Sequence, residues 1–461
     1  MALTATMVRP PPPSKPSAAS ARKPPPPPPG RKNNINASRP PPPRGPPGKP
    51  RPPPPTGGNV AGNASMAIGT KRPVDHTRPA PAARAGPSRK QQRRSVSLKA
   101  PTVMRDVTAF QKKHQVGEGT YGSVFMGADK VTGEIVALKR INTEEEANGF
   151  PITALREVKL LKALRHDNIV KLKEVATSRD SGDIPKNVFM VMEYCEFDLT
   201  GILETNEIKF TQDHIKSWSN QLLQGVHYMH VNNILHRDLK SSNLLVTRRG
   251  ELKIADWGLA RSWNPSMKRL TNPVITLWYR PPELLLGCTR YSSKIDMWSV
   301  GCIIAEMFRR GGLLKGASDD HQLDLIFTMM GHPSEDDWPN INQMCPLWRN
   351  HKPPDDGMGA PRRLRERLKE QLPTSVMNWM TPHAIDVIDN LLTNNPEKRW
   401  SAQQAILAEW FFDAPMFKPA DKLNMKFGVD SAHEWEARKK HKEIMARRKA
   451  AQATGGRNVG H

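Results

Sequence analysis

The densest chemistry in the chain lies between residues 236 and 258, where His236-Arg237-Asp238-Leu239-Lys240-Ser241-Ser242-Asn243 is followed by Asp256-Trp257-Gly258. Asp238 and Asn243 are five positions apart. One short loop can therefore aim a carboxylate at an incoming hydroxyl and an amide oxygen at a metal ion. Asp256 adds the second hard oxygen that Mg²⁺ needs. Upstream, Gly117, Gly119 and Gly122 precede Val124 in a Gly-x-Gly-x-x-Gly-x-Val stretch. That spacing lets a strand–turn–strand close over phosphates with its backbone N–H groups exposed. The glycines alone are a weak sign, because dinucleotide-binding folds share them, but there a helix follows. Here strand-like sequence follows, and then Ala137-Leu138-Lys139. Lys139 offers a point charge to α and β phosphates. Glu157, in a helical stretch after Pro151, offers a carboxylate to hold that ammonium in place.

These groups need elements to carry them. Val116, Val124, Phe125 and Ile135–Leu138 predict short strands, with turns at 117–122 and at Thr132-Gly133. Leu155, Val158, Leu161 and Leu164 recur at helical spacing, and Val188–Met192 is a short apolar strand. From Thr211 onward helical patterns dominate. The expectation is an α+β chain, strand-rich first and helix-rich later, with the glycines and Lys139 in the first part and Asp238 to Asp256 in the second.

Taken in order, these motifs resemble the catalytic domain of eukaryotic protein kinases over residues 110–412. Pro151-Ile152-Thr153-Ala154-Leu155-Arg156-Glu157 is similar to the cyclin-binding helix of the cyclin-dependent kinases, in the form familiar from their transcription-elongation members. Gly149-Phe150 before it and Met192–Asp198 fit the same group. The resemblance implies a bilobal fold, with a β-rich lobe over 106–194 and a helical lobe over 195–427. It implies ATP and Mg²⁺ as cofactors, a cyclin on the Pro151–Glu157 helix, and protein substrates with Ser-Pro or Thr-Pro sites, the RNA polymerase II C-terminal tail foremost. By the same resemblance Lys139 and Glu157 form the phosphate-binding pair, Asp238 orients the substrate hydroxyl, Lys240 contacts the transferred phosphate, and Asn243 and Asp256 bind the metal. Met192 takes the gatekeeper place, and Glu193 and Cys195 offer backbone hydrogen bonds to adenine. Gly117, Gly119, Gly122, Val124, Ala137, Asp198 and Leu245 complete the nucleotide site. Thr271 matches the activation-loop phosphosite, with Arg156, Arg237 and Arg261 to grip its phosphate, and Glu283 is expected to pair with Arg399. Two residues depart from the usual pattern. Trp257 stands where phenylalanine is usual, and Pro273 replaces a charged residue of some relatives.

Composition bounds the remainder. Of 461 residues, 69 are Lys or Arg and 45 Asp or Glu, a net charge of +24. Residues 1–105 hold 27 of the 44 prolines, 20 basic residues and only Asp75 as an acid. Proline fixes φ and lacks the amide hydrogen, so this stretch is expected to be a disordered polyproline tail. It is a candidate docking segment for SH3 or WW domains and an electrostatic contact for RNA. Arg89–Arg94, with Lys71-Arg72, reads as a nuclear import signal and the nucleus as the location. Residues 428–461 turn basic again, and 434–449 read as a solvated helix or disordered tail. Cys195, Cys288, Cys302 and Cys345 form no CxxC pair, which argues against structural zinc and a disulfide framework. No 18-residue apolar run exists, so no membrane span is expected. Other readings are a cell-cycle or splicing-linked kinase of the same family, a pseudokinase scaffold working through its proline-rich tail, and a nucleic-acid-binding module. The full set Lys139, Glu157, Asp238, Asn243 and Asp256 argues against the scaffold. No zinc-finger or RNA-recognition signature supports sequence reading of nucleic acid.

Overall fold

The structure is a computed structural model and describes residues 104–119, 122–141, 150–178, 187–267, 269–353, 361–423, 425–436, 438, 439 and 445. All of them fall in one unit, Arg94–His461. The proline-rich segment and the stretch expected to act as an import signal lie outside the described residues.

The chain forms two lobes, the first rich in strands and the second in helices. Strands β1 (Phe110–Gly119), β2 (Gly122–Asp129) and β3 (Ile135–Ile141) are followed by helix α1 (Ile152–Ala163) and by β4 (Leu172–Ser178) and β5 (Asn187–Glu193). They make one antiparallel sheet in the order β1-β2-β3-β5-β4. Side chains alternate across a strand, and register does the rest. Val136, Leu138, Phe189 and Val191 bury one face in a small apolar core with Phe110 and Ala176. Ala137 and Lys139 point the other way, with Val124 opposite Lys139 and Met192 opposite Ala137. Val124, Ala137, Lys139 and Met192, four of the residues expected at the nucleotide site, therefore share a face. Arg105 anchors the lobe's start, pairing with Asp129 at 2.7 Å and with Glu174.

The second lobe begins with β6 (Phe197–Asp198) and α2 (Leu199–Glu204), then α3 (Gln212–Val231), which starts with a capping box between Thr211 and His214. Short strands β7 (Ile234–Leu235), β8 (Leu244–Val246), β9 (Leu252–Ile254) and β10 (Arg261–Ser262) follow, then α4 (Pro282–Leu285) and α5 (Lys294–Arg309). β6-β8-β9 form a small sheet and β7 pairs with β10. The loop Leu235–Leu244 is thus clamped at both ends by strand pairing. Nearly all of α5 is buried, including Trp298, Ile303 and Phe308. It serves as the lobe's central post. Arg399 and Glu283, fully buried, meet through two bonds of 2.7 and 2.9 Å. Among the described residues no helix is long and apolar enough to cross a membrane. All four cysteines are buried free thiols.

Candidate active site

Between the lobes lies a cavity of about 290 Å³. Every nucleotide-site and catalytic residue expected from the sequence lines it except Gly119, which closes the β1–β2 hairpin opposite Gly122. Lys139 Nζ stands 2.9 and 3.0 Å from the two carboxylate oxygens of Glu157 and 3.0 Å from Asp256 Oδ1. Burial works against the charge on Lys139, but the two carboxylates outweigh it and hold the ammonium protonated well above the ordinary lysine range. Burial likewise opposes ionisation of Asp256, yet Lys139 beside it keeps its carboxyl below the usual range. The pair stays charged at neutral pH, which is what phosphate and metal contacts require.

Glu157 reaches Lys139 because α1 sits where it does. The helix buries Ala154, Glu157 and Leu161 at helical spacing, and the 3₁₀ turn Trp257–Leu259 packs against it. Trp257 is completely buried, donates its indole N–H to Ile254 O at 3.2 Å and sets its ring edge-on to His236. In this structure the bulkier aromatic therefore accompanies a formed Lys139–Glu157 pair. Asp256 begins that turn with φ 59°, a left-handed conformation that Asp tolerates better than most residues.

On the loop, Asn243 donates its Nδ2 to Asp238 O at 2.8 Å and to Asp238 Oδ2 at 3.1 Å. Its Oδ1 is left as a hard-oxygen donor. Lys240 Nζ lies 3.4 Å from Asp238 Oδ2. Among the described residues no group of three or more His, Cys, Asp or Glu side chains could hold a metal ion. Asn243 and Asp256 nonetheless suit Mg²⁺, which takes few protein oxygens and completes its shell with phosphate and water. At the lobe junction β5 ends at Glu193, and the Cys195 backbone makes no hydrogen bond among the described residues. That edge fits a purine base.

Several functional residues carried no signal in the sequence. Thr276 bonds Asp238 Oδ1 through its hydroxyl at 2.9 Å. Asp296, at the start of α5, accepts from the backbone N–H groups of His236 and Arg237 and from His230 Nε2, at 2.9–3.0 Å. It is fully buried, and those donors overcome the burial and hold its carboxyl below the usual range. Ile275 has φ 70°, and Arg280 takes up its carbonyl with Nε at 3.2 Å and Nη2 at 2.9 Å. Most of 434–449, expected as a solvated helix or disordered tail, lies outside the described residues, but its first residues, 434–436, continue a segment, 425–436, that runs along the lobe junction. Phe427 stacks on Phe197 with ring centroids 3.9 Å apart. Ala432 bonds Glu196 O and Asp198 N, and Glu434 N donates to Asp198 Oδ2 at 2.7 Å. His433, Glu434 and Trp435 thereby line the cavity. Polarity hid this, because the docking uses backbone groups and one aromatic.

The expected clamp on Thr271 is only partly assembled. Arg237 donates to Thr271 Oγ1 at 2.9 Å and also to Leu259 O and Tyr291 Oη. Arg156 and Arg261 are half-buried and make no bond to Thr271 among the described residues. An unmodified hydroxyl offers one small acceptor and no charge, so nothing draws the other two guanidiniums in.

This fold and cleft define a protein kinase, and comparison with known proteins agrees. Residues 110–411 match the family model described as "Protein kinase domain". "Cyclin-dependent kinase C-1" of Arabidopsis thaliana is 44% identical over 358 residues, which span 75% of this chain and 68% of that protein. The "Cyclin-dependent kinase C-1" of Oryza sativa subsp. japonica is also 44% identical, over 75% of this chain and 66% of its own length. "Cyclin-dependent kinase 12" of Caenorhabditis elegans is 40% identical, over 77% and 47% respectively. The solved structure titled "Crystal Structure of the yeast RNA Pol II CTD kinase CTDK-1 complex" superimposes with a TM-score of 0.61 at 36% identity, covering 70% of this chain and 99% of that one. The chain belongs to the protein kinases, within the cyclin-dependent kinase family. It spans about two thirds or less of the length of these curated relatives.

Proposed function

We propose that this chain is a cyclin-dependent serine/threonine kinase that transfers the γ-phosphate of ATP to Ser-Pro or Thr-Pro sites. The observation that carries the reading is Lys139 bonded at once to Glu157 and Asp256 in the cavity that also holds Asp238 and Asn243. Lys139 would hold the α and β phosphates, and Asn243 Oδ1 with Asp256 would hold Mg²⁺. When bound, that ion supplies positive charge to the phosphate oxygens. Asp238, fixed by Thr276 and Asn243, would accept the hydrogen bond of the substrate hydroxyl and take up its proton. The hydroxyl oxygen bonds to the γ-phosphorus as the bond to the β-phosphate oxygen breaks and ADP leaves. Lys240 would stabilise the transferred group. The protein's contribution is positioning and charge.

The proline preference follows from Ile275. Its carbonyl is occupied by Arg280, so a residue after the target serine finds no acceptor for its amide there. Proline has no amide hydrogen to leave unpaired. The cyclin reading is supported by Ile152 and Leu155, apolar and exposed on α1 beside exposed Phe150. An exposed apolar patch of this kind marks a partner surface. By likeness to a CTD kinase, the substrate would be the RNA polymerase II tail and the location the nucleus.

Asp256→Asn tests the reading. With saturating Mg²⁺-ATP and the cyclin bound, turnover on a Ser-Pro peptide should nearly vanish while thermal unfolding stays close to wild type. Turnover near the wild-type value would sink the assignment. A Ser-Ala peptide should be used far less efficiently than its Ser-Pro twin.

A further inference from the structure

Behind the catalytic loop, four side chains from four elements form a continuous polar chain. Thr200 Oγ1 lies 2.8 Å from Ser241 Oγ, Ser241 Oγ 3.0 Å from Tyr279 Oη, and Tyr279 Oη 2.8 Å from Glu306 Oε2. Ser241 Oγ also stands 3.4 Å from Glu306 Oε1. Each hydroxyl has a single proton to give. With Glu306 ionised, one direction satisfies the three shorter links: Thr200 donates to Ser241, Ser241 to Tyr279, and Tyr279 to the carboxylate, while the 3.4 Å approach of Ser241 to Glu306 competes for the Ser241 proton. The carboxylate form, which can only accept, then sets the polarity of these links. Ser241, Tyr279 and Glu306 are only 2%, 6% and 6% exposed, so water does not replace a lost partner.

The links join parts that the transfer reaction needs in register. Thr200 lies in the first turn of α2, two residues from Asp198, which lines the nucleotide cavity. Ser241 sits between Lys240 and Asn243. Tyr279 follows Thr276, the partner of Asp238, by three residues and precedes Arg280, which holds the Ile275 carbonyl. Glu306 rides on α5, whose other end carries Asp296, the group that ties down His236 and Arg237. The lobe's central helix thus grips the catalytic loop at one end through Asp296 and at the other through this chain.

We infer that Glu306 is a positioning residue for phosphotransfer, terminating a hydroxyl chain that locks the catalytic loop between α2 and the substrate-side segment 274–280. The inference rests on the kinase reading.

The test uses the full chain with its bound cyclin, a Ser-Pro peptide and Mg²⁺-ATP, and compares wild type with Glu306→Ala, Glu306→Gln, Ser241→Ala, Tyr279→Phe and the Ser241→Ala/Tyr279→Phe double variant. Glu306→Ala is expected to lower kcat on the order of tenfold or more with the KM for ATP nearly unchanged, the signature of lost alignment. Glu306→Gln keeps an oxygen for Tyr279 and should restore most of that loss. The double variant should lose little more than its worse single, since both interrupt one chain. Effects confined to KM, or single losses that simply multiply, would overturn the inference. Should Glu306→Ala fail to fold, the Ser241 and Tyr279 variants decide alone by the same comparison. A wild-type complex without Ser-Pro phosphotransfer would overturn the kinase reading itself, and this inference with it.

Discussion

Asp296 and Glu306 are buried carboxyls on one helix, yet their surroundings push them in opposite directions. Asp296 gains backbone N–H groups and His230, and its carboxyl stays ionised below the usual range. Glu306 gains only hydroxyls, with Lys315 and Arg309 as the facing cations, and burial lifts it to about 7 from an ordinary 4.5. Its folded state thus binds a proton more tightly than the unfolded chain does. Stability from this group is complete below the ordinary glutamate range and is lost as pH rises toward about 7. Glu306→Gln cannot ionise and escapes that loss. Its stability relative to wild type should rise between pH 5 and pH 8 by up to about 3 kcal/mol. Urea unfolding at both values measures the difference, and a pH-independent offset would mean that Glu306 is already ionised at pH 5.

At the scale of elements, two segments adapt the lobes to their task. The first is the loop carrying Thr271, held in this structure by Arg237 from the catalytic loop and by Tyr291. A phosphate there would bring about −1.5 to −2 charge and three acceptor oxygens, enough to gather Arg156 and Arg261 as well. Arg156 neighbours Glu157 and Arg237 neighbours Asp238, so the phosphate would couple α1 to the catalytic loop. Thr271→Ala should therefore lower turnover on a Ser-Pro peptide far more than it lowers nucleotide affinity. Equal turnover for Thr271→Ala and phosphorylated wild type, checked by mass spectrometry, would remove the clamp from the mechanism. The second segment is 425–436. Gly201 makes its docking possible, because a β-carbon there would stand 2.3 Å from Ala432 O. Gly201 lies inside α2, where alanine favours the helix by about 0.5–1 kcal/mol. Gly201→Ala should thus leave the lobe folded but expel the tail and its Glu434 from the cavity edge. The expected readouts are faster amide exchange over 425–436 and an altered KM for ATP. Unchanged exchange would show that the contact is not needed to hold the tail.

For the whole molecule, Arg105, near the start of the described residues, ties Asp129 to Glu174 and accepts a hydrogen bond from Thr177 N on its carbonyl. The preceding residues are rich in proline and basic groups and poor in apolar ones, a composition that cannot build a core. A chain starting at residue 104 should match the thermal unfolding temperature of the full chain within experimental error. A drop of several degrees would show that the proline-rich segment packs on the domain. The same truncation removes Arg89–Arg94, so loss of nuclear accumulation in cells would trace import to that segment.

The local chemistry was legible in the residues. Glycines before a strand, a lysine on that strand, and Asp238, Asn243 and Asp256 at short spacing are set by loop and strand geometry, which sequence distance records well. The two-part architecture was legible too, because periods of two and of 3.6 residues separate strands from helices. The long-range contacts were not. Asp296 caps a loop 60 residues away, Glu306 meets a serine 65 residues away, and Glu434 reaches Asp198 across 236 residues. Each is one polar residue among many, and nothing in its neighbours announces a partner. The Ile275 carbonyl is likewise a backbone state, invisible in a side-chain alphabet. The residue types thus determined which reaction the chain is equipped for. Packing α5 through the lobe centre and the tail along the lobe junction decided how its groups are held, because burial removes water as the alternative partner and makes each distant hydrogen bond obligatory.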